Sequence, residues 1–98
     1  MIGGTYNISM KMFDEIETGT VEFIESGGKL SGTLKAGSIV SSFSDGIING
    51  NHFEFSGIIQ KFIFKIQYTA RGDITQDRLT AEANTKHGVF KITGERIK

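Results

Sequence analysis

Between Tyr6 and Arg96 the chain alternates apolar and polar residues in about eight short stretches joined by Gly- and Asn-containing turns, and no proline interrupts them. Alternation with period two sends successive side chains to opposite faces of a strand. Short strands joined by tight turns escape the hazard of exposed edges by closing into a barrel. The expected fold is therefore all-β: an eight-stranded antiparallel up-and-down (meander) β-barrel with little or no helix. Thirteen glycines and eight phenylalanines among 98 residues agree with this, because glycine and the β-formers both disfavour long helices. At this length one domain over residues 1–98, with one core, is expected.

The inward face can be read strand by strand. From Thr5 to Phe13, Tyr6, Ile8, Met10 and Met12 share one face and Thr5, Asn7, Ser9 and Lys11 the other. Val21 and Phe23 follow, then Leu30, Gly32, Leu34 and Ala36. The stretch from Ser38 to Ile48 breaks phase, since Phe43 and Ile48 both read as buried but lie an odd number of positions apart; a β-bulge near Asp45 and Gly46 reconciles them. Phe53, Phe55, Gly57 and Ile59 point inward next, and Phe62, Phe64, Ile66, Tyr68, Ala70 and Gly72 after them. Leu79, Ala81 and Ala83 define the seventh strand, and Phe90, Ile92, Gly94 and Arg96 the eighth.

An up-and-down path gathers the turns at Ser26 to Lys29, Asn49 to Asn51 and Asp73 to Asp77 at one tight end, with both termini. The other end, the mouth, takes Asp14 to Gly19, Ala36 to Ser38, a turn near Gln60 and Lys61, and Thr85 to Gly88. Leu30-Ser31-Gly32, Leu79-Thr80-Ala81 and Ile92-Thr93-Gly94 form a weak repeat whose small residues suit a tapering floor.

Eleven basic and eleven acidic residues cancel, which removes the long-range field that nucleic acid or an anionic membrane usually exploits. Neither partner is expected. No apolar run approaches the roughly 18 residues of a membrane span, and the first strand begins too near Met1 to leave room for a signal peptide, so a cytoplasmic location is expected. With no cysteine, disulfides and thiolate metal sites are excluded.

Catalytic chemistry finds little support. His52 falls beside the Asn49-Gly50-Asn51 turn and reads as a surface residue; His87, next to Thr85 and Lys86, falls in the last mouth turn. His87 could reach a ligand there, or serve as an axial haem ligand as in histidine-ligated β-barrels, but a single histidine is no metal motif. Asp14, Glu15 and Glu17 bring three carboxylates to the mouth, in a run that reads as solvated loop or a cation site. No two carboxylates face each other in an apolar pocket, and no helix follows Gly57 or Gly72 to supply phosphate-binding amides. Arg71-Gly72-Asp73 reads as a strand end entering a turn. No enzyme activity, metal or cofactor is expected.

Gly4-Thr5-Tyr6 on the first strand, with Arg96 on the last, resembles the calycin superfamily of lipocalins, fatty-acid-binding proteins and avidins. There a Gly-x-Trp meets an arginine that packs over the ring and closes the barrel floor. Tyr6 and Arg96 would take those places, with tyrosine departing from the usual tryptophan. The resemblance implies this fold and suggests ligand binding; the inward phases give a mostly packed lower barrel with, at most, a small apolar pocket under the mouth, lined by Met10, Met12, Phe23, Leu34, Phe55, Phe64 and Phe90, with His87 beside it. The same residues read equally as plain core, because an eight-stranded barrel can be just wide enough for its own side chains. A dry cavity of about 300 Å³ would cost on the order of 7 kcal/mol, comparable with total stability.

A second reading comes from the outward phases, which carry Phe13, Ile24, Val40, Ile47, Ile58, Ile63 and Val89. Val40, Ile47, Ile58 and Ile63 could centre an isologous dimer or higher self-association. The expected function is non-enzymatic binding of a small apolar ligand; the alternative is a solid barrel acting as a homo-oligomeric interaction module.

Overall fold

The computed structural model describes residues 2–12, 15–61 and 63–97. They form eight strands: β1 Gly4–Met12, β2 Glu15–Ser26, β3 Lys29–Ala36, β4 Ile39–Asn49, β5 His52–Lys61, β6 Phe64–Thr75, β7 Arg78–Thr85 and β8 Gly88–Arg96. Each pairs antiparallel with its sequence neighbours, and β1 pairs with β8, so the sheet closes in meander order. Phe13, Asp14 and Phe62, which the sequence reading placed in the first strand, the first mouth turn and the sixth strand, lie outside the described residues.

Alternation builds the core. In β1, Tyr6, Ile8, Met10 and Met12 are buried while Asn7, Ser9 and Lys11 are exposed, and every later strand repeats the device. Ile39, Ser41 and Ile74 join the interior beyond the residues read from the sequence. β4 carries the bulge: Leu30 faces Gly46 and Gly32 faces Phe43, so β4 spends one residue more than β3 over this interval. Phe43 and Gly46 are thereby both buried, Ile47 turns outward and Ile48 is half-buried.

The bulge also shifts the register of β4 on β5 between Val40↔Gln60 and Ile47↔Glu54. Side chains bridge this seam. The Phe43 ring stacks on Phe55 with centroids 3.8 Å apart, and Ser41 Oγ shares a buried 2.8 Å hydrogen bond with the Tyr68 hydroxyl. Gly57 makes that reach possible, since a Cβ there would stand 2.7 Å from the Tyr68 oxygen.

At the mouth β2 runs past β3 and β6 runs past β7. β2 reaches its last β3 partner at Gly19↔Ala36 but continues to Glu15 against β1, so the loop expected from Asp14 to Gly19 is largely strand. The apolar signal is absent there because the inward positions fall to Glu17 and Gly19, while pairing with the β1 backbone extends the strand regardless. β6 similarly meets β7 only from Thr69↔Asn84 onward, yet pairs with β5 up to Lys61↔Phe64. Phe64 therefore keeps the inward phase of β6 but lies beyond the closed part of the barrel, where it is 63% exposed. It does not line the interior, contrary to the sequence reading, because alternation reports the face of a strand and not where the barrel ends.

The β6–β7 turn holds two non-glycine residues at positive φ, Gln76 at 51° and Asp77 at 68°. Asparagine tolerates this region better than glutamine. Gln76→Asn is expected to raise stability by about 0.5 kcal/mol, measured by urea unfolding; a loss would show that the Gln76 side chain contributes contacts outweighing its backbone strain.

Candidate functional site

At the tight end, the structure brings Tyr6 and Arg96 together as register partners, with the guanidinium carbon 4.9 Å from the ring centroid. Arg96 Nε donates to Asp77 Oδ1 at 2.8 Å and Nη1 donates to the Gly3 carbonyl. The Tyr6 hydroxyl donates to the Ile2 carbonyl at 2.7 Å, and Glu25 Oε1 accepts from the Ile2 and Gly3 amides at 2.9 and 3.3 Å. Gly4, at φ +137°, leaves room for the guanidinium, since a Cβ there would stand 2.7 Å from Nη1. The segment before β1 is thus latched beneath the barrel with Ile2 buried as its floor. Periodicity could not reveal Ile2, which precedes the first strand.

Above this floor the aromatic rings pack against one another. Phe23 lies at centroid distances of 5.1 Å from Phe53, 5.6 Å from Tyr6 and 5.9 Å from both Phe43 and Phe55. Met10, Met12, Leu34 and Phe90, with Phe23 and Phe55, are all buried in this one core. Two concave regions lie on the outer wall instead: one over β7, β8, β1 and β2 beside Asn7, Thr18 and Thr93, the other over β5 to β7 beside Ile58, Lys65 and Asn84. Among the described residues, no buried side-chain nitrogen or oxygen lacks a hydrogen-bond partner.

Ser41 and Tyr68 form the polar pair of the interior, and the sequence reading missed Ser41 because a lone serine in an outwardly polar stretch carries no inward signal. Burial pushes the Tyr68 hydroxyl above its ordinary pKa, opposed by the Ser41 hydrogen bond. Burial also raises Tyr6; Arg96 opposes the shift, and Asp77 and Glu25 add to it. A tyrosine raised in the folded state holds its proton after the unfolded chain has lost it, so its stabilisation is complete below the ordinary value of about 10 and declines above it. Each should cost up to about 1.4 kcal/mol per pH unit between that value and its native pKa. Phenolate absorbance and unfolding are expected to rise together in an alkaline titration; phenolate formation near pH 10 in protein that stays folded would contradict the burial argument.

The remaining polar residues do not converge. His52 Nδ1 lies 3.2 Å from Asp73 Oδ1 near the tight end, whereas His87 is exposed in the mouth turn, its amide donating to Thr85 Oγ1 at 3.0 Å. His87 does not join Met10, Met12 or Phe90, which are sealed from it inside the barrel. Arg71-Gly72-Asp73 lies within β6, where Arg71 pairs with Glu54 at 3.4 Å and Gly72 is buried. No group of three His, Cys, Asp or Glu among the described residues could hold a metal ion.

The outward apolar residues are divided by the β4 register. Val40 faces Gln60 near the mouth, with Ile58 and Ile63 on the same side, but Ile47 faces Glu54 and Lys29. Ile58 lies four positions along β5 from Glu54, about 13 Å, so the four residues read as one dimer centre do not form a continuous patch. Among the described residues, the three most exposed large apolar side chains are Ile63 at 89%, Ile16 at 65% and Phe64 at 63%, all at the β1–β2 and β5–β6 ends of the mouth.

Fold and site together define a closed antiparallel meander barrel with a cluster of packed rings in its core and exposed apolar side chains at its mouth. No family model and no curated protein matches the chain. No helix among the described residues is long and apolar enough to cross a membrane.

Proposed function

We propose that this protein is a non-enzymatic interaction module: a solid barrel of calycin-like design that works through the outside of its mouth end. The observation carrying this reading is the contrast between an interior occupied by stacked rings and hairpin tips that leave Ile16, Ile63 and Phe64 in solvent. Rigid barrels commonly present binding residues on the loops at one end, and apolar side chains left in solvent on such loops are candidate partner contacts. The Gly4, Tyr6 and Arg96 arrangement at the floor supports the calycin-like description.

The alternative reading, a carrier of a small apolar ligand, would require Phe23, Phe43 or Phe55 to move out of the space a ligand would fill. Titration with an apolar fluorescent dye, read beside native mass spectrometry, separates the two. The module reading expects no saturable one-to-one uptake and no retained small molecule. Saturable uptake abolished by Phe55→Trp, in a variant that remains folded, would overturn it in favour of the carrier.

A further inference from the structure

Asn49-Gly50 is the one asparagine–glycine step in the chain, and the fold leaves it open. Both residues are exposed. Gly50 takes φ +65° in the two-residue turn that joins β4 to β5, and a Cβ built there would meet nothing within 4 Å. Among the described residues, no hydrogen bond engages the Asn49 side-chain amide or the Gly50 nitrogen. An asparagine side-chain carbonyl and the backbone nitrogen that follows it can close a five-membered ring, so their reaction needs no encounter between molecules. Glycine removes the side chain that would crowd that nitrogen.

The other steps of this kind are closed off. Asn7, Asn51 and Asn84 are followed by Ile8, His52 and Thr85, whose side chains crowd the nitrogen. Asp45-Gly46 has the required spacing inside the β4 bulge, but Gly46 is buried against Leu30, where an added Cβ would stand 2.9 Å from its neighbours. Reactive sequence and open structure coincide only at the β4–β5 turn.

We propose that Asn49-Gly50 is a self-modification site of the folded protein. The Gly50 nitrogen, losing its proton to hydroxide, attacks Asn49 Cγ; as the new C–N bond closes a succinimide, the Cγ–Nδ2 bond breaks and the nitrogen leaves as ammonia. Water then opens the ring. Attack at Cγ gives aspartate, and attack at the backbone carbonyl gives isoaspartate, with the chain rerouted through the former side chain. One ammonia is lost and one water gained, and nothing is oxidised or reduced. Either product gives a formally neutral chain one negative charge, placed across the hairpin from His52. Isoaspartate also adds a carbon to the backbone of a turn tied to its neighbours by Ile48 N donating to the Gly28 carbonyl at 3.0 Å and Ile74 N to the Asn51 carbonyl at 2.9 Å. Only Asn49↔His52, Ile48↔Phe53 and Ile47↔Glu54 pair β4 with β5 before the register shifts, so little else holds this end of the hairpin.

Incubation of the folded full chain at mildly alkaline pH, followed by ion exchange and peptide mass mapping, tests the proposal. The peptide holding Asn49 should gain the mass difference between an amide and a carboxylic acid, faster as pH rises, while the intact protein becomes more acidic. A protein isoaspartate methyltransferase should then label that peptide. Asn49→Gln, whose carbonyl stands one carbon farther away, should convert at least about tenfold more slowly, and Asn49→Asp should show the acidic shift at once. A shift that persists at full rate in Asn49→Gln places the reaction elsewhere and overturns the proposal. So does conversion of the urea-unfolded chain alone, which would mean that the folded turn protects the step. Hydrogen exchange at the Ile48 and Ile74 amides should quicken in the isoaspartyl form; unchanged exchange would overturn the loosening of the turn.

Discussion

Replacing Phe23 with alanine is expected to destabilise the barrel by about 3–5 kcal/mol, enough to unfold most or all of a domain this size. Phe23 touches four other rings, Tyr6, Phe43, Phe53 and Phe55, drawn from β1, β4 and β5. Its removal opens a cavity in the middle of a closed sheet that cannot collapse without breaking strand pairing. Phe64→Ala should change stability by no more than about 0.5 kcal/mol, because the ring lies mainly in solvent. Urea unfolding of the two variants checks both values. Comparable losses would mean that the mouth closes over Phe64 in solution, and the reading of the hairpin tips as a docking surface would fail with it.

Arg96→Ala is expected to cost about 2–3 kcal/mol, combining the hydrogen bonds of a partly buried cation with its position over an aromatic face. The partial exposure of Asp77 tempers the ion-pair contribution. The loss should be local before it is global. Arg96 holds the Gly3 carbonyl and the Asp77 carboxylate, while Tyr6 and Glu25 hold the segment around Ile2. Hydrogen exchange at the Ile2 and Gly3 amides should quicken more than exchange in β5 and β6. Arg96→Lys should recover little, since a compact ammonium cannot reach the carbonyl and the carboxylate while lying flat on Tyr6. Uniform acceleration of exchange across the barrel would show that the latch has no separate existence.

The closed barrel and most of its interior were legible because alternation is a local property: each inward residue declares itself by its distance from the next. The β4 bulge was legible for the same reason, as Phe43 and Ile48 could not share a face without an extra residue. The burial of Ser41 and the role of Gly57, which was read only as an inward position, were not legible, because both come from Tyr68 reaching over one strand to the next. Phe64 misled in the opposite way, having the right phase at a height where no opposite wall remains.

The sequence by itself determined strand number, strand phase and the zero overall charge, since each depends on residue identity and spacing alone. Only the tertiary structure decided which inward residues have partners, which rings meet in the core, and where the charges stand. Those depend on how far each strand runs past its neighbours and on which positions meet across the barrel, separations that no local pattern contains. The run of β2 past β3 and of β6 past β7 leaves Ile16, between Glu15 and Glu17, and Ile63 and Phe64, beside Lys65, in water.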